Sequence, residues 1–436
     1  MKSSGLPHRR RVLQIGATLT GVGIGSDLLT TTPAVADSTT TRLSKLLLAQ
    51  DFTVAIRIPE PDLYIHDPGM QVLENRHLFV VAPVRRRPVS GKPGARAVPQ
   101  ATSLLLARST NGGASWEQLP SLPKYRDATP FVHNNALYLL IPDYVNDQIL
   151  LMRSDDEGKS WTPPSAIVRD KLWNCQTSMA QYEGRLYWAL TNYTVGNNLK
   201  AISADLNKDL LDPGSWNVSD GCELPKVPDL LKDNLRVENK QNWHRPWSAD
   251  TWLEPNVVNV NGRLRVLSRV VTDDFATAGL GAVCEIKLQG TEMNMKFSQF
   301  HPMPGGQCKF MIVYDEKTRL FWMLSNTPTD SHDLFERGRK MAASGFVAGP
   351  GNERRILTLH YGLDAMNWFP AGVVAMWPNP LQAFMYPSAV IDRDDLVFIS
   401  RTSQSAPNQH DADTVTFHRI KNFRSLAVSL DGKLRE

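Results

Sequence analysis

The chain is 436 residues long, 42% hydrophobic and 21% charged, and its 48 Lys and Arg nearly balance 44 Asp and Glu, for a net charge of +4. With no basic stripe along the sequence, nucleic acid is excluded as the expected partner. Four widely spaced cysteines (Cys175, Cys222, Cys284, Cys308) contain no Cys-x-x-Cys, so no metal and no cofactor are expected.

The N-terminus reads as a removable segment. His8-Arg9-Arg10-Arg11-Val12-Leu13-Gln14 precedes an uncharged stretch from Ile15 to Ser26, and Ala34-Val35-Ala36 supplies small residues for cleavage. Residues 1–36 are therefore read as an export signal. The paired arginines followed by x-Val-Leu-Gln resemble the signals of the twin-arginine pathway, with an ordinary secretory signal as the alternative. Asp37 to Asp51 reads as a linker. The apolar stretch is shorter than the about 20 residues a membrane helix needs, and no other stretch is long enough. The mature chain is expected to be exported, without a membrane span, and monomeric.

From residue 52 onward, short β runs alternate with turn residues, and no long amphipathic helix is evident. A first unit pairs Gly69–Leu73 with His77–Ala82 and continues through Ser103–Arg108 into Ser109-Thr-Asn-Gly-Gly-Ala-Ser-Trp116. The second runs from Ala128–Val132 through Ala136–Ile141 to Ser154-Asp-Asp-Glu-Gly-Lys-Ser-Trp161. Both octets fit Ser-x-Asp/Asn-x-Gly-x-Ser-Trp, and they recur 45 residues apart, the length of one four-stranded propeller blade. The Asp or Asn and the Gly make a tight turn, and the Trp is expected to open the next strand and pack under it.

The third unit holds Thr177–Ala180, Gly184–Leu190 and Ser203–Asp205, with the octet split before Gly214-Ser215-Trp216. In the fourth, Trp252–Val258 turns at Asn261-Gly262 into Arg263–Arg269; Asn-Gly is a strong hairpin signal. The fifth contains Lys309–Tyr314, Leu320–Ser325 and Ile356–His360 and ends in a worn octet at Trp368. Tyr386–Ile391, Leu396–Arg401 and Thr414–Arg419 form the sixth. Ser219 to Asp250 reads as a long loop carrying Asn242-Trp-His-Arg-Pro-Trp247, rich in groups that stack on and hydrogen-bond sugars. The expected fold is all-β, a single six-bladed β-propeller spanning residues 52–436.

The octets resemble the Asp-box, or BNR repeat, of sialidase (neuraminidase) propellers, where it lies on the outer rim of each blade. Units four to six carry the resemblance further. Trp252-Leu-Glu-Pro-Asn-Val-Val…Ser268-Arg269 is similar to that family's glutamate strand and one arginine of its triad. Ser325-Asn326…Arg354-Arg355-Ile-Leu-Thr-Leu is similar to its Ser-Asn-Pro loop and third arginine, and Tyr386-Pro-Ser-Ala-Val-Ile to its tyrosine strand.

The resemblance implies an exo-glycosidase that removes a terminal acidic sugar from glycans, with Tyr386 as nucleophile and Glu254 as its base. Arg269 with Arg354 or Arg355 would form the carboxylate clamp. Guanidinium forks suit a carboxylate, and a phenol is not repelled by an anionic sugar.

Two departures accompany it. The family's first-blade arginine lies in Arg-Ile-Pro, yet Arg57-Ile58-Pro59 is too far upstream, and His66-Asp67-Pro68 occupies that register. No Asp or Glu lies between Arg85 and Ser103, where the family has its acid/base aspartate, so His66 or Asp67 would have to supply the proton. A uronate-directed polysaccharide lyase and a non-catalytic carbohydrate-binding propeller are the alternatives. Each of these residues also has a purely structural reading, as an ion-pair partner or a packed aromatic, and His410-Asp411 and His418 read as structural or surface groups.

Overall fold

The computed structural model describes residues 47–86, 103–194, 196, 198–228, 231, 251–271, 279–327, 353–379 and 381–428. The signal (1–36), most of the linker, the Asn242–Trp247 cluster and Arg87 lie outside them. The described residues from Leu47 onward belong to one compact unit.

Six antiparallel sheets follow one another in chain order and form a six-bladed β-propeller. Blade 1 begins with Leu63–Ile65 and Gly69–Val72 and continues through Leu78–Arg86, Ser103–Ser109 and Glu117–Pro123. Blade 2 is Thr129–His133, Ala136–Asp143, Gln148–Ser154 and Ser165–Arg169. Blade 3 has Leu172–Trp173 and Ala180–Tyr182 innermost, then Arg185–Asn192, Asn198–Asp205, Trp216–Val218 and the short Cys222–Glu223. Blade 4 is Thr251–Val260, Arg263–Val271, Leu280–Gln289 and Glu292–Pro302; blade 5 is Met311–Asp315, Leu320–Asn326, Ile356–Gly362 and Phe369–Met376.

Blade 6 takes three strands, Ala383–Asp392, Asp395–Ser403 and Thr414–Ile420, from its own segment. Its outermost strand is Thr53–Arg57 from the other end of the chain, which pairs Thr53 with Phe417 and Arg57 with Thr414 and so closes the ring. Arg57-Ile58-Pro59 is thereby placed on the outer edge, where Arg57 Nη2 donates to Gln404 Oε1 at 2.6 Å. Just before it, Leu48 and Ala49 donate their backbone N–H groups to Val373 and Val374 of blade 5, so the end of the segment read as linker is tied to a sheet edge.

Most of the described buried apolar residues fall into six clusters, each lying in the seam between two successive blades. A twisted four-stranded sheet cannot bury both faces alone, and stacking around a ring lets every face meet a neighbour.

The two octets show how the seams are fastened. Ser109 Oγ accepts from Gly113 N and Asn111 Oδ1 from Ser115 N; Ser154 Oγ and Asp156 Oδ1 do the same for Gly158 and Ser160. Gly113 and Gly158 have φ of +92° and +89°, and an added Cβ would come within 2.2 Å of Phe417 and 2.5 Å of Phe79, aromatics of the preceding blade. The Trp rings follow the same direction: Trp116 packs on Phe417 and donates to Thr53, while Trp161 packs on Phe79 and donates to Gly158 O. The next strand starts directly after Trp116, at Glu117, whereas after Trp161 the strand starts only at Ser165, because Pro163 and Pro164 offer no donor for the ladder.

Candidate functional site

The innermost strands all start on one face of the ring, and the hairpins between second and third strands return to that face. Residues at those points converge although they are far apart in sequence. The octets lie on the opposite face, as does a depression of about 610 Å³ lined by Phe131, His133, Gln181, Asn259, Tyr314 and Val390.

Two strand starts are built alike. Glu254 and Tyr386 have φ of +55° and +50°, each is followed by proline, and each sits in a register shift, between Leu253 and Asn256 and between Met385 and Ser388. A non-glycine residue in the left-handed region is costly and persists only when its surroundings hold it. Here they do. Pro255 O accepts from Thr177 Oγ1 (2.7 Å) and Asn174 Nδ2 (3.0 Å), and Pro387 O accepts from the buried Lys309 Nζ. Ser268 Oγ donates to Leu253 O, and Ser400 Oγ donates to Met385 O.

The bulges aim both side chains into the funnel, where they meet. Tyr386 OH donates to Glu254 Oε1 at 2.7 Å, and Arg269 Nη1 lies 3.2 and 3.1 Å from the two Glu254 oxygens and 3.4 Å from Tyr386 OH. Arg269 Nε donates to Gln307 O at 2.7 Å. Two further guanidinium groups flank the phenol ring, Arg354 at 5.4 Å and Arg401 at 5.1 Å from its centroid. Glu254, Arg269, Arg354 and Tyr386 are all buried, and Arg401 is fully so. Burial, and then the charges of Glu254 and Asp67, push the Tyr386 hydroxyl far above its ordinary range; Arg269 and Arg354 counter this only in part. The phenol is neutral, with a carboxylate placed to take its proton.

Arg355 points elsewhere, with Nη1 donating to Pro378 O at 3.3 Å and Nε 3.4 Å from Glu353. Asn326, from the Ser-Asn pair singled out in the sequence, donates to Arg354 O, Ile356 O and Phe384 O, which fixes the chain that carries Arg354.

On the other side of the funnel, Asp67 Oδ1 accepts from Arg401 Nη1 at 3.1 Å. His66 Nδ1 is 2.9 Å from Asp67 and 3.5 Å from Asp127, while its Nε2 accepts from Arg85 Nη1 at 3.0 Å. Arg85 Nη2 also reaches both Asp127 oxygens at 2.7 Å, and Tyr144 OH donates to Asp127 at 2.5 Å. Burial alone would raise the Asp67 carboxyl, but His66, Arg401 and Arg85 together hold it well below its usual range. His66 and His410 lie nearer solvent, their rings 6.3 Å apart, and His410 Nδ1 is 2.9 Å from Asp411.

His66, Asp67 and Asp127 bring three ligand atoms within 4.8 Å of one another, a spacing open to a cation. The guanidinium groups decide against it. Arg85 donates to Nε2, which leaves the His66 proton on Nδ1 where a metal would need a lone pair, and Arg85 and Arg401 already neutralise the two carboxylates.

Sequence reasoning missed Arg85, Asp127, Gln307, Lys309 and Arg401 as site residues. Arg401 had a signal: Glu254-Pro-Asn…Ser268-Arg269 and Tyr386-Pro-Ser…Ser400-Arg401 share one spacing.

No family model matches the chain, and none of the curated proteins does. Solved structures share its fold. The Trypanosoma rangeli sialidase in complex with sialic acid aligns with a TM-score of 0.51 at 14% identity over 82% of this chain and 54% of that one. A Hadza microbial sialidase gives 0.50 at 15% over 82% and 66%, and a protein of unknown function from Dyadobacter fermentans gives 0.52 at 12% over 85% and 98%. The chain spans about half the length of the Trypanosoma rangeli sialidase. At these identities the likeness is one of fold.

Proposed function

We propose that the chain is an exported exo-glycosidase of sialidase type, whose octets are Asp-boxes and whose funnel hydrolyses a terminal acidic sugar from a glycan. The observation that carries this reading is the Tyr386–Glu254 hydrogen bond, 2.7 Å long and ringed by three arginines. Glu254 takes the phenolic proton as Tyr386 attacks the anomeric carbon. Arg269 and Arg354 face the substrate carboxylate, and Arg269 also stabilises charge on the phenolate. Arg355 stands behind Arg354 and supports the loop. Asp67 stays ionised and positions Arg401, so it is not the proton donor; His66, at the solvent edge and in contact with two carboxylates, takes that role through Nε2, which must first exchange the Arg85 N–H for a proton of its own while Arg85 stays paired with Asp127. The twin-arginine-like signal delivers the folded chain out of the cytoplasm.

A fluorogenic sialoside tests the reading. Free sialic acid is the expected product, and its release should fall by about 10² to 10⁴ in Tyr386→Phe. Full activity in that variant would remove Tyr386 as nucleophile. A uronate lyase is the second reading, favoured by an imidazole, a neutral phenol and arginines in one funnel; an unsaturated, ultraviolet-absorbing product from uronate polymers would establish it instead.

A further inference from the structure

Cys222 and Cys284 lie in different blades, yet their Sγ atoms are 4.0 Å apart. Both are buried in the apolar cluster at the seam of blades 3 and 4. Cys222 sits on the two-residue strand Cys222–Glu223, which pairs with Leu199 and Asn198, and Cys284 sits mid-strand in blade 4 opposite Val266 and Phe297. The other two cysteines are placed elsewhere. Cys175 packs in the seam of blades 6 and 1, and Cys308 Sγ faces Glu353 O.

We propose that Cys222 and Cys284 are a disulfide-forming pair, closed by a disulfide oxidant such as glutathione disulfide into a staple between blade 3 and blade 4. A disulfide needs sulfurs about 2.05 Å apart, so closing the 4.0 Å gap moves each sulfur by about 1 Å. The pair is also chemically unequal. The Cys284 thiol and the backbone of Phe297 hold the Cys222 thiol below its ordinary value against the opposing effect of burial, while hydrogen bonding to Cys222 and burial push Cys284 up. Cys222, which also sits on the short edge strand, is the attacking thiol.

Its thiolate attacks one sulfur of glutathione disulfide and expels one glutathione thiolate. Cys284 then gives up its proton and attacks Cys222 Sγ, expelling the second glutathione. Two protein thiols are oxidised, one glutathione disulfide is reduced to two thiols, and the two protons end on them. Access comes from the edge position of Cys222: its strand is two residues long and pairs with Asn198 and Leu199, so a local opening of that edge exposes the thiol. The staple bears on the site as well as on stability, because Trp252, two residues before Glu254, packs in the same cluster. This inference does not depend on the proposed activity.

The test compares the folded full chain after incubation with glutathione disulfide and after reduction with dithiothreitol, each then denatured and alkylated with iodoacetamide. The oxidised sample should carry two alkyl groups instead of four, show a linked Cys222–Cys284 peptide after trypsin, and unfold several degrees higher than the reduced one. Four alkylated cysteines after oxidation, or a linked peptide containing Cys175 or Cys308, would overturn the proposal. Cys222→Ser should abolish the linked peptide and its thermal gain; if that variant misfolds, the peptide map of the unaltered chain still decides.

Discussion

Glu254 and Tyr386 stand 132 residues apart in the chain, yet they occupy the same left-handed bulge in two different blades and share a hydrogen bond of 2.7 Å. The backbone conformation is unfavourable for both residues, and the following proline, the serine of the next strand and a buried donor on the proline carbonyl hold it in each case. The propeller thus uses one local device twice to turn two side chains toward each other.

Removing the phenol should separate chemistry from folding. Tyr386→Phe preserves shape and is expected to lower turnover of an acidic glycoside by about 10² to 10⁴, with little change in thermal midpoint. Glu254→Gln and Arg269→Ala are different. Each leaves one charge of the buried Glu254–Arg269 pair without its partner, a loss of about 3–5 kcal/mol, so its defect should appear first in urea unfolding. Kinetics and denaturation on the three variants check both statements.

Acid should unfold the chain in two stages. Burial pulls His360 and His418 down to about 4, so both stay neutral in the fold while the unfolded chain takes up protons near pH 6.5. Their contribution is present above about pH 6.5 and is lost as pH falls toward 4, at roughly 1.4 kcal/mol per pH unit for each. Asp67 and Asp127 are held below their ordinary values by His66 and the arginines, chiefly Arg85 for Asp127, so their contribution is lost only below about pH 4. His418 Nδ1 donates to Ala49 O, a bond Asn can keep; His418→Asn should therefore reduce the slope of the upper stage, leaving the His360 share, and leave the lower stage unchanged when urea midpoints are plotted against pH.

The octets should matter to stability and not to chemistry. Gly113→Ala would drive Cβ to 2.2 Å from the Phe417 ring at a φ of +92°, and Gly158→Ala to 2.5 Å from Phe79 at +89°. Each should cost about 1–3 kcal/mol through strain and overpacking. The measurement is the thermal midpoint alongside kcat, and a variant that unfolds normally but loses turnover would contradict the division between the two faces.

Much of this was legible in the sequence because blades are local. Each apolar run and its turn lie within a few tens of residues, so the spacing of Trp116 and Trp161 and the hairpin at Asn261-Gly262 yield the six-bladed fold. What escaped was made by closure of the ring. Nothing near Thr53–Arg57 marks it as the edge of a blade formed more than 300 residues later. The partners of His66 come from three blades, and nothing in the run Arg85-Arg86-Arg87 marks Arg85 as the one that pairs with Asp127, 42 residues later. Arg401 was legible in principle through its repeat with Arg269, but a match between blades 4 and 6 becomes meaningful only once both bulges are seen to serve one funnel.

Gln307 offers the most direct test of whether the funnel is built for a ligand. Its backbone carbonyl accepts from Arg269, but its side chain is buried and, among the described residues, neither amide atom has a hydrogen-bond partner. A buried polar group left unpaired costs about 1–3 kcal/mol, so Gln307→Met, similar in length and without the amide, should raise stability by that order. If the amide pairs with substrate, the same variant should lose affinity, with KM rising while kcat holds. Thermal unfolding and steady-state kinetics on one protein read both effects. A more stable variant with unchanged KM would mark Gln307 as a packing residue, and a less stable one would show that its amide is satisfied in the folded chain.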